Sequence, residues 1–223
     1  MDWNALNLSL KLAAWTVLIL LPLGVWGGRA LAVHHFRGKA WVEALLALPL
    51  VLPPTVLGYY LLVAMGGASP LGQFYESAFG RPLVFSFEGL LIASVIFNIP
   101  FAIQPMQRGF EAIAPEVRDA AACCGLSRWR TLWRIELPLA WQGVLSAAVL
   151  TFAHTLGEFG VVLMVGGNIP GETKTIAISI YDRVQAFDTA GAGLMSAALL
   201  LISLLAIGAA YFTSSRNRSH RHG

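Results

Sequence analysis

Charged residues are scarce in this sequence. They make up 12% of the 223 residues, against 57% that are hydrophobic, whereas a soluble domain carries about 25% charged residues. Four stretches contain no Asp, Glu, Lys or Arg: residues 44–73, 89–107, 137–157 and 190–215. Because a helix needs about 20 apolar residues to cross a bilayer, each stretch is long enough to do so. The sequence therefore predicts an all-α integral membrane protein.

Cysteine is nearly absent as well. The only two, Cys123 and Cys124, are adjacent. A disulfide between neighbouring residues would be strained and a metal site would need further ligands, so we expect two small buried residues and no metal or cofactor in this chain. The sequence also lacks the Gly-x-x-x-x-Gly-Lys-Ser/Thr loop that binds nucleotide phosphates. We therefore expect no catalytic residues and no ATP hydrolysis by this chain itself.

Five membrane spans fit the apolar pattern best: residues 9–32, 41–65, 89–107, 140–165 and 191–212. The first lacks a preceding basic cluster and a small-x-small cleavage site, so we expect a retained span and not a signal peptide. Prolines in the first three spans would kink them, which favours a transport pathway over a plain anchor. The spans form one predicted transmembrane domain, residues 1–213, with a short basic cytoplasmic tail, residues 214–223.

The basic residues assign the two sides of the membrane. Three Lys or Arg residues lie at or just after the C-terminal end of the first span, five follow the third and three follow the fifth, against the remaining four in the chain. Lys and Arg gather on the cytoplasmic side. The pattern therefore predicts an outside N-terminus, an inside C-terminus and an odd number of spans. This topology also explains the net charge of +3, which gives no reason to expect a nucleic-acid partner.

The loop between the third and fourth spans, about residues 109–138, is predicted to fold as two short helices. Gly125 can end the first in the left-handed conformation, and Ser127 can cap the second. The second, about residues 128–136, is amphipathic, and we expect Pro138 to end it. A folded element on the cytoplasmic face favours docking of a soluble partner over a structural re-entrant turn. Its tether to two spans argues against a DNA-binding helix-turn-helix.

A spaced set of residues in this loop points to a family. The set is Asp119, Ala120, Ala121, Gly125, Ile135, Leu137 and Pro138. It resembles the Glu-Ala-Ala, Gly, Ile-x-Leu-Pro pattern of permease subunits of binding-protein-dependent ABC importers, with every spacing matched and Asp119 in place of glutamate. The resemblance implies a type I importer permease fold. It also implies that this loop is a coupling helix seated in a cleft on a cytoplasmic ATP-binding subunit.

Two further segments, residues 48–60 and 157–176, resemble molybdate permeases. The resemblance implies a homodimer in the lipid of the bacterial inner membrane and a periplasmic molybdate-binding protein as partner. Sulfate and tungstate permeases share a block related to the second segment, so sulfate, thiosulfate and tungstate remain alternative cargoes. An ATP-independent channel or secondary transporter is a different class, as is a membrane scaffold. Carriers often have internal repeats, and none is evident here.

Four consecutive residues at the outer end of the fourth span are the pathway and gate candidates: Gly157, Glu158, Phe159 and Gly160. A carboxylate facing a passing dianion would repel it, so we expect Glu158 to be an anchor or gate element and not a ligand. We expect it to pair with Arg183 or Lys174, or to accept bonds from backbone N–H groups. The two glycines would permit close helix approach or a local break.

Uncharged polar residues inside the spans have two interpretations. His154 lies one turn before Glu158, and we expect a hydrogen-bonded core histidine there and not a proton relay. Asn98, Gln104 and Gln142 could donate hydrogen bonds to an anion, or they could join neighbouring helices.

Overall fold

The computed structural model describes the backbone of residues 1–219 and the side chains of residues 1–208. Within that part the chain is helical, with no strand, which confirms the predicted all-α class. The helices are α1 (Trp3–Val33), α2 (Lys39–Val51), α3 (Pro54–Met65), α4 (Pro70–Phe79), α5 (Phe87–Glu111), α6 (Pro115–Cys123), α7 (Arg128–Thr131), α8 (Leu137–Gly157), α9 (Gly160–Gly166), α10 (Ile176–Gln185) and α11 (Thr189–Ser219), with a π-helical turn, Leu132–Glu136, between α7 and α8.

Four helical stretches of the described residues are long and apolar enough to cross a membrane, and a bent pair supplies a fifth. The four are α1, α5, the stretch Arg128–Gly157 that ends with α8, and α11, while α2 and α3 form the pair. This agrees with the five predicted spans. Of the predicted tail, residues 220–223 lie outside the described part of the chain.

The second predicted span is broken and not merely kinked. The axes of α2 and α3 differ by 107°, and the break falls at Leu52 and Pro53, which are both extended. A residue before proline is driven out of the helical region, and two consecutive prolines impose this twice. Pro54 then starts α3, where its missing N–H leaves no helical bond unmade.

The fourth predicted span is also divided. α8 ends at Gly157 and α9 begins at Gly160, so the outer part of this span is a separate short helix. A Cβ placed on Gly160 would lie 2.9 Å from the Cβ of Pro54, whereas one placed on Gly157 would meet nothing within 4 Å. The two broken spans therefore touch at their breaks, and only Gly160 is needed for the contact.

The half of the core next to α6 is formed by α1, α5 and α8, which cross at glycines. A Cβ on Gly28 of α1 would lie 2.8 Å from the backbone of Gln107, and a Cβ on Gly143 of α8 would lie 2.6 Å from the carbonyl oxygen of Pro105. Such approaches are possible only where no side chain intervenes. They bring the end of α5 against both neighbours, just before the loop that carries the coupling motif.

The two ends of α1 contact different parts of the chain. At its N-terminal end Ser9 Oγ accepts a hydrogen bond from the backbone N–H of Ile176, 2.8 Å away, and Asp2 accepts one from Ser179 Oγ, 3.0 Å away. At its C-terminal end Arg29 bonds Glu136. A helix of 31 residues is about 46 Å long. α10 and the coupling loop therefore lie at opposite ends of the molecule.

Pro138 does not end a helix, which corrects the prediction. The helix that begins at Arg128 runs through the π-helical turn into α8 without a break, to Gly157. At the turn, the N–H of Leu137 bonds the carbonyl of Leu132 five residues earlier. A proline inside an α-helix clashes with the carbonyl four residues before it, and the wider π-helical turn relieves that clash.

Candidate functional site

The coupling loop folds locally as its residues predict. α6 ends in a Schellman motif: Gly125 has φ of 73°, its N–H bonds Ala122 O at 2.9 Å, and Leu126 N–H bonds Ala121 O at 3.1 Å. Ser127 Oγ accepts a bond from Arg130 N–H at the start of α7. Glycine is required at the turn because other residues are strained at a positive φ.

The motif residues of α6 divide between surface and interior. Asp119, Ala120 and Gly125 are exposed, whereas Ala121 is buried. Cys123 and Cys124 are exposed too, so the prediction that the cysteines are buried is wrong. They follow Ala122 at the end of α6. The exposed surface of α6 thus combines small residues with two carboxylates, Glu116 and Asp119.

The second half of the loop is anchored to the bundle. Leu132 is buried in a cluster with Met106 and Phe110 of α5, and Leu137 packs against the same cluster. Ile135 is half-buried. Trp129 and Trp133 are more than half exposed, and the ring of Trp129 lies 5.2 Å from that of Trp26 on α1. Exposed tryptophans at the end of a span suit the membrane–water interface.

Glu136 lies inside this anchored part and is completely buried. Its carboxylate is held by two arginines: Arg29 Nε of α1 lies 2.5 Å from Oε2, and Arg118 Nε of α6 lies 2.7 Å from Oε1. Arg118 also donates to the carbonyl oxygens of Phe110 and Ile113. One carboxylate therefore joins α1, the end of α5, α6 and the start of α8.

Sequence reasoning missed Glu136 as a site residue, although it occupies the variable position of the Ile-x-Leu-Pro pattern. Arg29 and Arg118 enter the sequence analysis only as two of the basic residues counted beside the first and third spans. A lone carboxylate beside an apolar run was the available signal, because such a residue needs a cation nearby. Its two partners lie 107 and 18 residues away, and the sequence does not identify them.

Glu158 lies at the other end of α8 and is also buried. Its Oε2 accepts hydrogen bonds from Ser94 Oγ at 3.2 Å and from Asn98 Nδ2 at 3.4 Å, both on α5. Its Oε1 has no partner among the described residues. The expected ion pair is absent from that part of the chain: Lys174 pairs with Asp182 at 2.6 Å, and Arg183 pairs with Asp188.

The ion pair that occupies Arg183 lies outside the membrane spans, at the turn between α10 and α11. The backbone N–H of Gly191 donates to Asp188, and Arg183 adds a second bond, so the pKa of Asp188 lies below its ordinary value. A carboxylate that is ionised at neutral pH keeps Arg183 at this surface. The predicted partner of Glu158 is therefore already engaged.

A chain of neutral polar groups extends on both sides of Glu158. Thr16 of α1 donates to Ser94 at 3.2 Å, and the side-chain oxygen of Asn98 is 2.9 Å from His154 Nδ1. Because that oxygen is an acceptor, His154 carries its proton on Nδ1. His154 also stacks on Phe101, with ring centroids 4.0 Å apart. It is thus the hydrogen-bonded core histidine that we expected.

The remaining pathway candidates have separate surroundings. Phe159 packs on Tyr181 of α10, with ring centroids 4.9 Å apart, and Gly160 contacts Pro54. Asn98 is buried, and its side chain bonds Glu158 and His154, so it joins α5 to neighbouring segments. Gln104 and Gln142 instead line an open cleft between α5 and α8. The four consecutive gate candidates thus lie at the break between α8 and α9, and the two glutamines lie nearer the end of α5 that leads into α6.

The site can be compared with known proteins. A family profile described as "Binding-protein-dependent transport system inner membrane component" matches residues 21–218. The molybdenum transport system permease protein ModB of Azotobacter vinelandii is 45% identical over 94% of this chain and 93% of its own length. A probable sulfate transport system permease protein, cysT of Chlorokybus atmophyticus, is 30% identical over 94% of this chain and 73% of its own.

A solved structure shares the fold. It is a bacterial alginate ABC transporter in complex with an alginate pentasaccharide-bound periplasmic protein, with a TM-score of 0.75 over 96% of this chain and 78% of the matched chain. The sequences are 16% identical, so this likeness concerns the fold alone.

Proposed function

This chain belongs to the family of binding-protein-dependent transport system inner membrane components, and we propose that it is the permease subunit that moves molybdate through an ABC importer. The assignment of molybdate as the cargo rests on the 45% identity with a molybdenum permease, which extends over nearly the whole of both chains. The identity with a sulfate permease is 30% and covers less of that protein. Sulfate is therefore the second candidate.

The energy for transport is proposed to come from ATP hydrolysis by a separate ATP-binding subunit that docks on the coupling loop, residues 109–138. The exposed surface of α6, with Asp119, Ala120 and the Gly125 turn, is the docking surface. The ion pairs of Glu136 join this surface to α1, α5 and α8, so a displacement of α6 would be transmitted to the spans. Rigid connection is what a lever between ATP hydrolysis and a transport path requires.

The orientation follows from the charge distribution. With the coupling loop in the cytoplasm, the N-terminus and α10 lie on the periplasmic side, where a molybdate-binding protein would deliver the anion. Two copies of the chain would form the path on a two-fold axis, since closed two-fold symmetry is the commonest form of homo-oligomer. The broken spans would then gate that path.

The proposed gate is the outer break, where Gly160 meets Pro54 and Glu158 bonds α5. Rotation of α9 with α3 relative to α5 would open or close the path while the neutral hydrogen bonds of Glu158 exchange. No covalent chemistry is involved. Glu158 acts here as an anchor for the moving part and does not bind the dianion, which its carboxylate would repel.

Transport assays test the cargo. The chain is purified with its ATP-binding subunit, reconstituted in proteoliposomes and supplied with the binding protein and ATP. We expect uptake of labelled molybdate that requires all three, with tungstate taken up comparably and sulfate much less. Uptake of sulfate in preference to molybdate would assign the second candidate. Uptake of either anion without the ATP-binding subunit would refute the importer assignment.

Disulfide trapping tests the docking surface. In a variant in which Cys123 and Cys124 are replaced by serine, cysteine is introduced at Ala120, which is exposed, or at Ala121, which is buried. We expect Ala120→Cys to cross-link to cysteines along the cleft of the ATP-binding subunit and Ala121→Cys to serve as the unreactive control. Failure of Ala120→Cys with every position in that cleft would refute docking at this surface.

A further inference from the structure

An open cleft of about 490 Å³ lies between α5 and α8 in the cytoplasmic half of the chain. Its polar lining comes from four residues: Gln104, Arg108, Gln142 and Ser146. At its floor, Gly109 and Gly143 bring the two helices into backbone contact. At its outer end the cleft reaches Leu50, near the break between α2 and α3, and Phe101.

The polar side chains of this cleft point out of the single chain. Arg108, Gln142 and Ser146 are exposed, and Gln104 is half-buried. Gln104, Gln142 and Ser146 lie within the predicted spans, and Arg108 lies in the last turn of α5, just beyond the third span. Polar and charged groups in a span face a water-filled cavity or other protein and avoid lipid. This face of the bundle is therefore directed toward a path or a partner, unlike the leucine-rich exposed face of α11.

Arg108 is the only charged residue among the described residues that line the cleft. It makes no ion pair within the described part of the chain. Two carboxylates, Glu43 and Glu111, line a neighbouring cavity that Arg108 also borders. They are engaged there: Gln107 donates to both, at 2.7 and 2.9 Å, and Lys39 lies within 4 Å of both.

The position of the cleft places it below the proposed gate. Phe101, at its outer end, stacks on His154, which belongs to the polar chain of Glu158. Arg108 lies 21 residues into α5, about 31 Å from the outer start of that helix. An anion that passes the gate would thus meet uncharged amides first and the guanidinium last, before it reaches the cytoplasm.

We propose that this cleft is a transient binding site for the transported tetrahedral oxyanion, with Arg108 as its cation and the Gln104 and Gln142 amides as neutral donors. The inference rests on the proposed function and assigns residues to the inner half of its path. A guanidinium presents planar N–H donors that suit oxyanions. One cation and two amides per chain make a weak site, from which an ion can leave.

The charge of the cleft can be measured without transport. Ser146→Cys is made in a variant with serine at positions 123 and 124, and the complex is placed in lipid nanodiscs, which leave both faces accessible. Two methanethiosulfonate reagents of similar size, one with a sulfonate and one with a trimethylammonium group, are compared by their rates of labelling. We expect Arg108→Gln to slow the sulfonate reagent and to speed the ammonium reagent, each about twofold, and so to reduce the sulfonate-to-ammonium rate ratio about fivefold, as for a charge about 8 Å away in water.

Arg37→Gln is the matched control, because Arg37 is an exposed cytoplasmic arginine that does not line the cleft. We expect it to leave the ratio unchanged, and we expect millimolar molybdate to slow labelling when Arg108 is present. A ratio that is insensitive to Arg108→Gln would overturn the proposal. So would a Ser146→Cys thiol that neither reagent labels, since the cleft would then be closed to water.

Uptake in the same preparations separates this inference from the proposed function. We expect Arg108→Gln to lower molybdate uptake several-fold while ATPase stimulation by the loaded binding protein persists, and Arg108→Lys to restore part of the uptake. If the unmodified complex transports molybdate but Arg108→Gln transports it equally well, only the inner site fails. If the unmodified complex transports no oxyanion, the proposed function itself fails.

Discussion

Two buried glutamates bracket α8, and their surroundings differ. Glu136 precedes the helix with both carboxylate oxygens bonded to arginines, and Glu158 follows it with hydrogen bonds from neutral groups only. Both are nearly inaccessible, at 0% and 4% exposed. Glu158 also follows the negative end of the helix dipole, which is unfavourable for a carboxylate. The two glutamates are thus similarly buried, but only Glu136 has cations that stabilise its charge.

The difference corresponds to what each end of α8 does in the proposed mechanism. At the cytoplasmic end the ion pairs fix α6, α1 and α8 relative to one another, which suits a part that transmits force. At the outer end the chain is broken, and weak neutral bonds hold the break against α5. Such bonds can exchange partners at little cost, which suits a part that moves. The same helix is therefore locked at one end and adjustable at the other.

The largest effect is expected from Glu136→Gln. The substitution leaves Arg29 and Arg118 without a counter-charge beside a buried amide, and breaking a buried ion pair in this way destabilises a protein by about 3–5 kcal/mol. We expect poor recovery of the protein and a clearly lower melting temperature of the purified complex, measured by differential scanning fluorimetry.

A double-mutant cycle provides the control. Arg29→Gln combined with Glu136→Gln should be less destabilising than the sum of the two single changes, because the second removes a charge that the first left unpaired. Additive effects would show that the residues act independently. In that case the ion pairs of Glu136 would not hold α8 to α1 and α6.

A smaller effect is expected at the outer break, from Gly160→Ala. The added methyl would lie 2.9 Å from Pro54, so α3 and α9 must separate, and overpacking of this kind typically destabilises by about 1–3 kcal/mol. Gly157→Ala is the matched control, because nothing lies within 4 Å of the new methyl. We expect a loss of transport with Gly160→Ala only, and equal loss in both variants would contradict the contact.

The coupling turn offers a third test, at the locked end. Gly125→Ala places a methyl at φ of 73°, which is strained by about 1–2 kcal/mol although the surrounding space is open. Gly38→Ala is similar in both respects, with φ of 95° and no neighbour within 4 Å. We expect Gly125→Ala to weaken the coupling of ATP hydrolysis to uptake and Gly38→Ala to leave it intact. Equal coupling in both would contradict a docking role for the turn.

The sequence predicted the features that depend on local chemistry. Charge-free runs located the membrane helices, and Gly125 and Ser127 identified the end of α6 and the cap of α7, because helix termini are set by nearby residues. Pro138 was misinterpreted since a π-helical turn accommodates it within a continuous helix. Whether a proline kinks, breaks or is absorbed depends on the backbone around it, and this is not visible in residue type alone.

The predictions failed where a contact joins distant segments. Glu158 was expected to bond Arg183 or Lys174, or backbone N–H groups, but both cations are held by aspartates and its donors are the side chains of Ser94 and Asn98. The ion pairs of Glu136 with Arg29 and Arg118 were also missed because they join distant segments. Arg29 reaches Glu136 only through the packing of α1 on α8. Counting charges gives their side of the membrane and not their partners.

The smallest effect on stability, and the sharpest contrast with Glu136, is expected from Glu158→Gln. The amide oxygen of glutamine can accept the same bonds from Ser94 and Asn98, and the position has no cation to be left unpaired. The change in unfolding free energy should therefore be less than about 1 kcal/mol, the contribution of a typical hydrogen bond. A melting temperature lowered as far as that of Glu136→Gln would contradict the comparison.

Function should nevertheless respond at this position. The substitution replaces the carboxyl with a neutral, less strongly accepting amide, so the balance between open and closed forms of the break should shift. We expect an altered ratio of basal to binding-protein-stimulated ATPase activity in reconstituted complexes, with assembly unchanged. If both that ratio and molybdate uptake match the unmodified complex, Glu158 has no part in gating and is held there only as a buried polar anchor. The adjustable end of α8 would then have to be sought in the Gly160–Pro54 contact alone.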